Sequence, residues 1–435
     1  GCLVEEQHNI LLNLLKEGIT PATGCTEPIA VAYAVAKAKE ESTGKNMMSI
    51  QVQVDSNLYK NGLMVTIPGT KEKGLFAAAA FGYLFGRTER RFRVIDELTE
   101  KEVREAKALL ALDKITVTLN PDYQGLHIEV VLVTDLDKVR IIIDGSHLNV
   151  VSTERIDKSE DFKSSPCPDL KNSTRGSNYK IREYSLADFL QFTENIPIAE
   201  LKFLKEGIRM NLAIAREGLT IKSGVGSAFI KLRQEGLIPD SMATDAQILC
   251  AAASEARMAG SHLPVMSTAG SGNHGITAFL TNYAVVEHEH LPEDKLLRSL
   301  ALTNLITFFI KSYTGTLSAM CGCGVAAGIG ASAGVVYLLD GTVEKIMGAL
   351  YNMVGSISGM ICDGAKEGCA YKLAMASGWA VQSALLSLKG AIIHNTDGIL
   401  APEFKQMFQN LGYLCDPGMI ETDEAILDIM LKKTD

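Results

Sequence analysis

Aromatic side chains are scarce in this chain, 6% of 435 residues with one tryptophan, while alanine and glycine are abundant. That balance suits close helix packing more than a large sheet sandwich. An excess of positive charge is also missing. With 42 Lys and Arg against 51 Asp and Glu the formal net charge is −9 and the isoelectric point lies near 5.5, so no general attraction to nucleic acid or to an anionic membrane is expected. The longest apolar run, Val325 to Leu339, is rich in small residues and stops at Asp340, short of the roughly 20 residues that span a bilayer. The opening, Gly1 to Glu6, is acidic and lacks the basic stretch that begins a signal peptide. No repeat of solenoid period and no low-complexity tract is present. A disulfide framework is not indicated either. Cysteine occurs 9 times, an odd number, unevenly spread, and Cys321 and Cys323 are too close for an ordinary framework, which points to a reducing compartment. The expectation is a soluble, cytoplasmic protein with neither nucleic acid nor membrane as partner.

What is present is the composition of a globular protein, 47% hydrophobic and 21% charged, in a chain long enough for two or three domains. Glu5 to Lys16 carries apolar residues at helical spacing (Ile10, Leu11, Leu14, Leu15), and Gly18 is placed to stop that helix. Thr20 to Pro28 reads as a rigid turn bracketed by Pro21 and Pro28, followed by an alanine-rich helix from Ile29 to about Lys39. Ser49 to Val54 alternates as a half-buried strand does, and Lys60-Asn61-Gly62 reads as a hairpin turn into a second strand, Leu63 to Ile67. A helix over Leu75 to Phe85 comes next, then one opened by the capping box of Thr99 and Glu102 and running to about Leu112. Strands at Ile115 to Leu119, Leu126 to Val133, Val139 to Ile143 and Leu148 to Val151 complete an α+β region with an antiparallel or mixed sheet. Asp157 to Lys180 is polar and turn-rich, a linker in which Cys167 sits between prolines as an incidental thiol.

Beyond Ser185, which can cap a helix, strand patterns almost vanish. Helices are predicted at Leu186 to Thr193, Pro197 to Arg216, Asp245 to Met258, Ile276 to His288, Glu293 to Ser312, Val325 to Leu339, Val343 to Ser356, Cys369 to Leu388 and Phe404 to Asn410. Glycine-marked breaks separate them, one of them Ser223 to Gly226. The expected organisation is an α+β N-terminal domain over 1–156, a polar linker over 157–183 and a mainly α-helical C-terminal domain over 184–435.

Four of the 9 cysteines lie in Met320-Cys321-Gly322-Cys323-Gly324, Ile361-Cys362-Asp363-Gly364 and Glu367-Gly368-Cys369. Clustered thiolates are the usual ligands of soft metals and iron–sulfur clusters, and glycine lets the backbone approach a bulky inorganic group closely. In an ordinary helical core each such glycine would cost about 1 kcal/mol against alanine. A single buried cysteine is otherwise a small hydrophobe. Cys25 stands just before a helix start, where backbone amides and the positive dipole end favour a thiolate. In Thr268 to Gly275, glycines flank Ser271, Asn273 and His274 ahead of a helix, an arrangement able to hold a carboxylate. The same loop could serve only as a helix cap, with His274 an exposed loop residue, and a dinucleotide fingerprint is disfavoured because no parallel strand precedes it. His288 and His290, among glutamates, fit a solvated helix end better than a metal site.

Together, Cys25 in Pro-x-x-x-Cys-Thr-Glu-Pro, the Gly-Ser-Gly-Asn-His-Gly loop, the Gly-Cys-Gly turn and the Cys-Asp-Gly…Gly-Cys pair resemble the L-cysteine desulfidase family over nearly the whole chain. That family is related to the α-subunit of the bacterial iron–sulfur L-serine dehydratases. The resemblance implies an oxygen-sensitive [4Fe–4S] cluster held by three cysteines, and the conversion of L-cysteine to pyruvate, ammonia and sulfide. Carried onto this sequence it implies Cys323, Cys362 and Cys369 as ligands, with Cys321 the alternative to Cys323; Gly328, five residues after Cys323, favours Cys323. It implies Cys25 as the thiol acting near the open iron. The dehydratases' tail-borne cysteine has no clear counterpart, since Cys415 lies 20 residues from the end.

The chemistry agrees with that implication. Three thiolates on four irons leave one iron free as a Lewis acid, able to take the substrate carboxylate and the β-hydroxyl or thiol. Cys25 is then assigned as the base with Glu27 as alternate, and Ser271, Asn273 and His274 as orienting a small amino-acid substrate. L-Serine dehydratase on the same cluster is the nearest alternative. A non-catalytic zinc or Fe–S sensing protein is the alternative of another class, zinc requiring a closed four-ligand site that uses Cys321 as well. A pyridoxal-phosphate lyase is disfavoured because no lysine, Lys366 included, has a recognisable cofactor context. The oligomeric state is left open, a homo-oligomer included.

Overall fold

In the computed structural model, which describes residues 1–123, 125–164, 179–315 and 319–433, the apolar stripe of the first helix, α1 (Cys2–Gly18), buries Leu11, Leu12 and Leu15. β1 (Ile19–Thr23) follows directly, then α2 (Thr26–Glu41), whose alanines are buried along most of its length. β2 (Met47–Val54) alternates buried and exposed residues as predicted. The next stretch corrects the sequence reading. Lys60-Asn61-Gly62 is no hairpin turn but the end of a helix, α3 (Ser56–Gly62), and Leu63 to Ile67 forms no strand. Asp55 caps α3 by accepting from Leu58 N at 3.0 Å, and Lys60 is drawn inside by an ion pair with Asp423 at 2.6 Å. A side-chain cap and a distant counter-ion outweigh the local Asn-Gly signal.

α4 (Gly74–Phe85), α5 (Glu100–Ala111, with the expected Thr99 and Glu102 capping box), β3 (Ile115–Leu119), β4 (His127–Thr134), β5 (Asp137–Asp144) and β6 (Val150–Asp157) complete the α+β region. The sheet order is β3-β2-β4-β5-β6, with β2 and β3 parallel and the other neighbours antiparallel. β6 runs further along the chain than Leu148 to Val151 because Ser152, Glu154 and Asp157 on this edge strand mask its alternation. α2 and α4 lie together against the sheet, and a side chain at Gly82 would overlap the carbonyl of Ala32. The small residues there permit the close approach.

The C-terminal half contains α6 (Leu186–Asn195, capped by Ser185), α7 (Leu204–Gly218), α8 (Val225–Gln234), α9 (Met242–Met258), β7 (Pro264–Thr268), α10 (Gly272–Glu289) and α11 (Glu293–Thr314). A π-helical turn, Cys323–Gly328, then leads into α12 (Ile329–Leu338), followed by α13 (Val343–Ile357), α14 (Cys369–Leu388), α15 (Phe404–Cys415) and α16 (Ile420–Leu431). The helix predicted over Pro197 to Arg216 is split, a 3-10 turn at Ile198–Leu201 preceding α7. α8 starts inside the Ser223 to Gly226 break because the Glu255 carboxylate accepts from Val225 N, a cap supplied from another helix. α9, rich in alanine, is buried on nearly every side among α7, α8, α10 and α14.

Two features join the halves. β1 and β7 form an antiparallel ribbon, Ile19↔Thr268 through Thr23↔Pro264, which the sequence hid because each strand is short and contains proline. Terminal helices also cross over: Leu11 and Leu15 of α1 pack in the helical core, while Leu427 of α16 packs in the core under the sheet. Among the described residues, no helix is long and apolar enough to cross a membrane. Cys167 lies outside the described residues.

Candidate functional site

β1 delivers Gly24 and Cys25 to the start of α2. Gly24 has φ +65°, and a Cβ there would sit 2.5 Å from the ring of Pro68, so only glycine fits. Cys25 is the N-cap residue of α2, 5% exposed, and its Sγ donates to Glu27 Oε2 at 2.8 Å. Sequence position argued for a thiolate here, and the structure corrects that. Burial and then the Glu27 charge push this thiol well above its ordinary range; the Arg257 charge opposes them without prevailing. Burial alone would raise the Glu27 carboxyl too, but the His147 imidazole, 3.8 Å from Oε1, and the Cys25 thiol hold it at about 2. His147, from the β5–β6 connection, also bonds Thr26 Oγ1 at 3.1 Å. The result is a line from His147 through ionised Glu27 to protonated Cys25.

The loop after β7 turns through Ala269 and Gly270, both at positive φ, and Ser271 caps α10 by accepting from His274 N at 3.3 Å. α10 then folds back along β7, so closely that a side chain at Gly275 would overlap the Met266 carbonyl. Asn273 and His274 are thereby buried; His274 is not an exposed loop residue. Asn273 Oδ1 accepts from Arg257 Nη1 at 3.2 Å, and Arg257 Nη2 donates to the Gly24 carbonyl at 3.1 Å. One guanidinium therefore ties the Cys25 turn to the Ser271 loop. The His274 ring reaches the other way. Nδ1 is 4.0 Å from Cys323 Sγ, and Nε2, buried without a hydrogen-bond partner, lies where a side chain at Gly322 would be. Burial, then the charges of Lys311 and Arg257, push His274 well below its ordinary value, so the imidazole is neutral.

The cysteine segments are set side by side by backbone pairing. Cys321 N donates to Met360 O and Cys362 N to Ala319 O, each at 2.7 Å, with Met320 bridged to Ile361. The hydrogen bond from Cys323 holds the Cys321 thiol below its ordinary range, and the same bond, burial and neighbouring thiols push Cys323 up. Cys369 opens α14 and directs Sγ at the Gly364 carbonyl, 3.6 Å away. Gly364, at φ +93°, seats this loop against the backbone of Lys60 in α3. Asp363 is gripped by Lys366 and Lys372; burial would raise its carboxyl, but those two ammonium groups hold it at about 2. Ala365, between Cys362 and Cys369, packs against the small apolar cluster of Cys25, Val65 and Met258. Burial pushes the Lys311 ammonium of α11 below its ordinary value, and the charges of Cys323, Cys362, Cys415 and Cys321 oppose that.

The donor set fits an iron–sulfur group: four thiols in two adjoining loops, glycines at the approach, and an unpartnered imidazole nitrogen beside them. Among the described residues no three of these sulfurs lie within 4.8 Å of one another, whereas thiolates about 2.3 Å from one zinc ion would be held closer together than that. Asp240, Asp245 and His288 do meet that spacing, but Arg233 already pairs with both carboxylates. Sequence reasoning missed Arg257, His147, Lys311 and Lys372. For Arg257 a signal existed, a cation one residue from the end of a helix that is otherwise alanine-rich and buried all round. For His147 the sequence held none.

A family model described as the serine dehydratase alpha chain matches residues 89–428. A UPF0597 protein of Clostridium tetani is 42% identical over 431 residues, covering 98% of this chain and 99% of the relative. One from Caldanaerobacter subterraneus subsp. tengcongensis is 42% identical over 424 residues, 98% of each chain. Another, from Clostridioides difficile, is 39% identical over 422 residues, 96% of this chain and 98% of the relative.

Proposed function

This chain belongs to the serine dehydratase alpha-chain family, and from that premise we propose that it is a lyase that converts L-cysteine to pyruvate, ammonia and sulfide on a [4Fe–4S] cluster in a reducing cytoplasm. The observation that carries the reading is the meeting of Cys321, Cys323, Cys362 and Cys369 beside a loop that packs on the Cys25 cluster. Cys323, Cys362 and Cys369 would hold the cluster, Cys321 being the alternative to Cys323. When bound, the cluster would supply Lewis-acid chemistry suited to stabilising a departing thiolate or hydroxide.

The chain's own residues do the rest. Asn273 and the capped Ser271 turn orient the amino acid, and neutral His274 offers its free Nε2 as a hydrogen-bonding group beside Cys323. Cys25 and Glu27 act as one unit that shares a proton along a 2.8 Å hydrogen bond. The thiolate, the minor form because burial and the Glu27 charge hold the proton on sulfur, takes the α-proton at Cys25 Sγ, and the Arg257 charge favours that form. Burial of the whole unit keeps water from competing for the proton.

L-Serine dehydration on the same residues is the second reading, favoured by the description of the matching family. Pyruvate formation from L-cysteine and L-serine, assayed side by side on anaerobically prepared, cluster-loaded protein, tests both. A higher kcat/KM for L-cysteine supports the first, turnover of L-serine alone supports the second, and turnover of neither defeats both.

A further inference from the structure

Arg257 is 6% exposed, and an arginine remains charged wherever it is placed. Among the described residues no carboxylate lies within ion-pair distance of it. Its hydrogen-bond partners are neutral, the Asn273 side-chain oxygen and the Gly24 carbonyl, and Nε has no partner at all. Glycine at 272 lets the chain pass close to this edge of the guanidinium, since a Cβ there would come within 2.5 Å of Nε. A buried cation without a counter-ion is costly unless something else neutralises it. The guanidinium lies where the Cys25 turn and the Asn273 loop converge.

Resting on the function proposed above, we infer that Arg257 is the binding group for the α-carboxylate of the amino-acid substrate. A guanidinium takes a carboxylate through two parallel N–H···O bonds, which fixes the plane of the carboxylate and so aims the Cα–H bond. The same contact excludes amines that lack the carboxylate, because they would leave the buried charge unpaired. Lysine would keep the charge and lose the fork.

The test is binding to the full-length, cluster-loaded chain by calorimetry, with L-alanine, which has no β-leaving group, and ethylamine, the same molecule without its carboxylate. Wild type should favour L-alanine by at least about tenfold, as a charge-assisted pair of 1.5 kcal/mol or more would give. Arg257→Gln should abolish that preference and Arg257→Lys should reduce it. If Arg257→Gln fails to fold, the lysine variant and the wild-type comparison still decide. Equal or absent binding of the two ligands by wild type, or a preference that survives in both variants, overturns the assignment. Carboxylate-dependent binding without turnover of L-cysteine or L-serine would instead leave it standing and defeat the proposed reaction.

Discussion

Cys25 Sγ donates to Glu27 Oε2 at 2.8 Å, and the two groups bias each other in opposite directions. The carboxylate raises the thiol's affinity for its proton, and the thiol helps hold the carboxyl at about 2. Replacing the carboxylate by an amide removes one of the influences that hold the proton on sulfur. Glu27→Gln should therefore move the rising limb of the kcat/KM profile to lower pH, because Cys25, the base, ionises more readily. A profile unmoved by Glu27→Gln while Cys25→Ser abolishes turnover would separate the two residues.

The Glu27 carboxyl also makes stability depend on pH. Its folded value, about 2, lies below the ordinary 4.5, so the unfolded chain binds more protons in the window between them. The stabilisation is present above 4.5 and lost as pH falls toward 2, of order 3 kcal/mol for a shift of this size. Glu27→Gln should flatten this part of the denaturant-midpoint profile between pH 5 and 2, measured against wild type.

The imidazole of His274 occupies the space a side chain at Gly322 would need. Gly322→Ala should displace that ring and cost about 1–3 kcal/mol of stability, with a loss of cluster loading. In a His274→Ala background the same change should cost less than about half as much. A double-mutant cycle by denaturant unfolding measures this coupling, and strict additivity would mean the ring can move aside freely.

Lys60 is 1% exposed and its ammonium is paired with Asp423, from the far end of the chain. Asp423→Asn leaves that charge buried without a counter-ion and should cost about 3 kcal/mol. Because the Lys60 backbone also seats Gly364, the variant should lose iron faster on dilution than wild type does, which release kinetics with an iron chelator would measure.

Much of this architecture was legible locally. The Thr99 and Ser185 caps each announce a helix within four residues, and the alternation of Ile50, Val52 and Val54 announces a strand. What was hidden depends on partners far away in sequence. α8 begins on a carboxylate 30 residues later, at Glu255, and the Asn-Gly of α3 is overridden by Asp423. In the site, cysteine and glycine spacing exposed the thiols that the fold brings together, because such spacing has few other uses. The protonation of Cys25 was not legible, since a helix start and a buried carboxylate neighbour act in opposite senses and only the fold reveals how deeply both are buried. Arg257 and His147 escaped because their roles come from contacts across the β1–β7 ribbon and the β5–β6 turn.

Oxygen should act on the cluster before it acts on the fold. Air exposure is expected to bleach the loaded protein and abolish pyruvate formation while its helical circular dichroism stays unchanged, since the two large cores are built from many buried aliphatic and aromatic side chains.

The most direct test of the central claim, that these loops form one elimination site, pairs iron and labile-sulfide analysis with turnover in two variants purified anaerobically. Wild type and Cys25→Ser should each carry about four iron and four sulfide per chain, only wild type releasing pyruvate from L-cysteine, whereas Cys362→Ser should lose both the iron and the turnover. Full iron loading in Cys362→Ser, or its disappearance from Cys25→Ser, would contradict the roles assigned to these thiols.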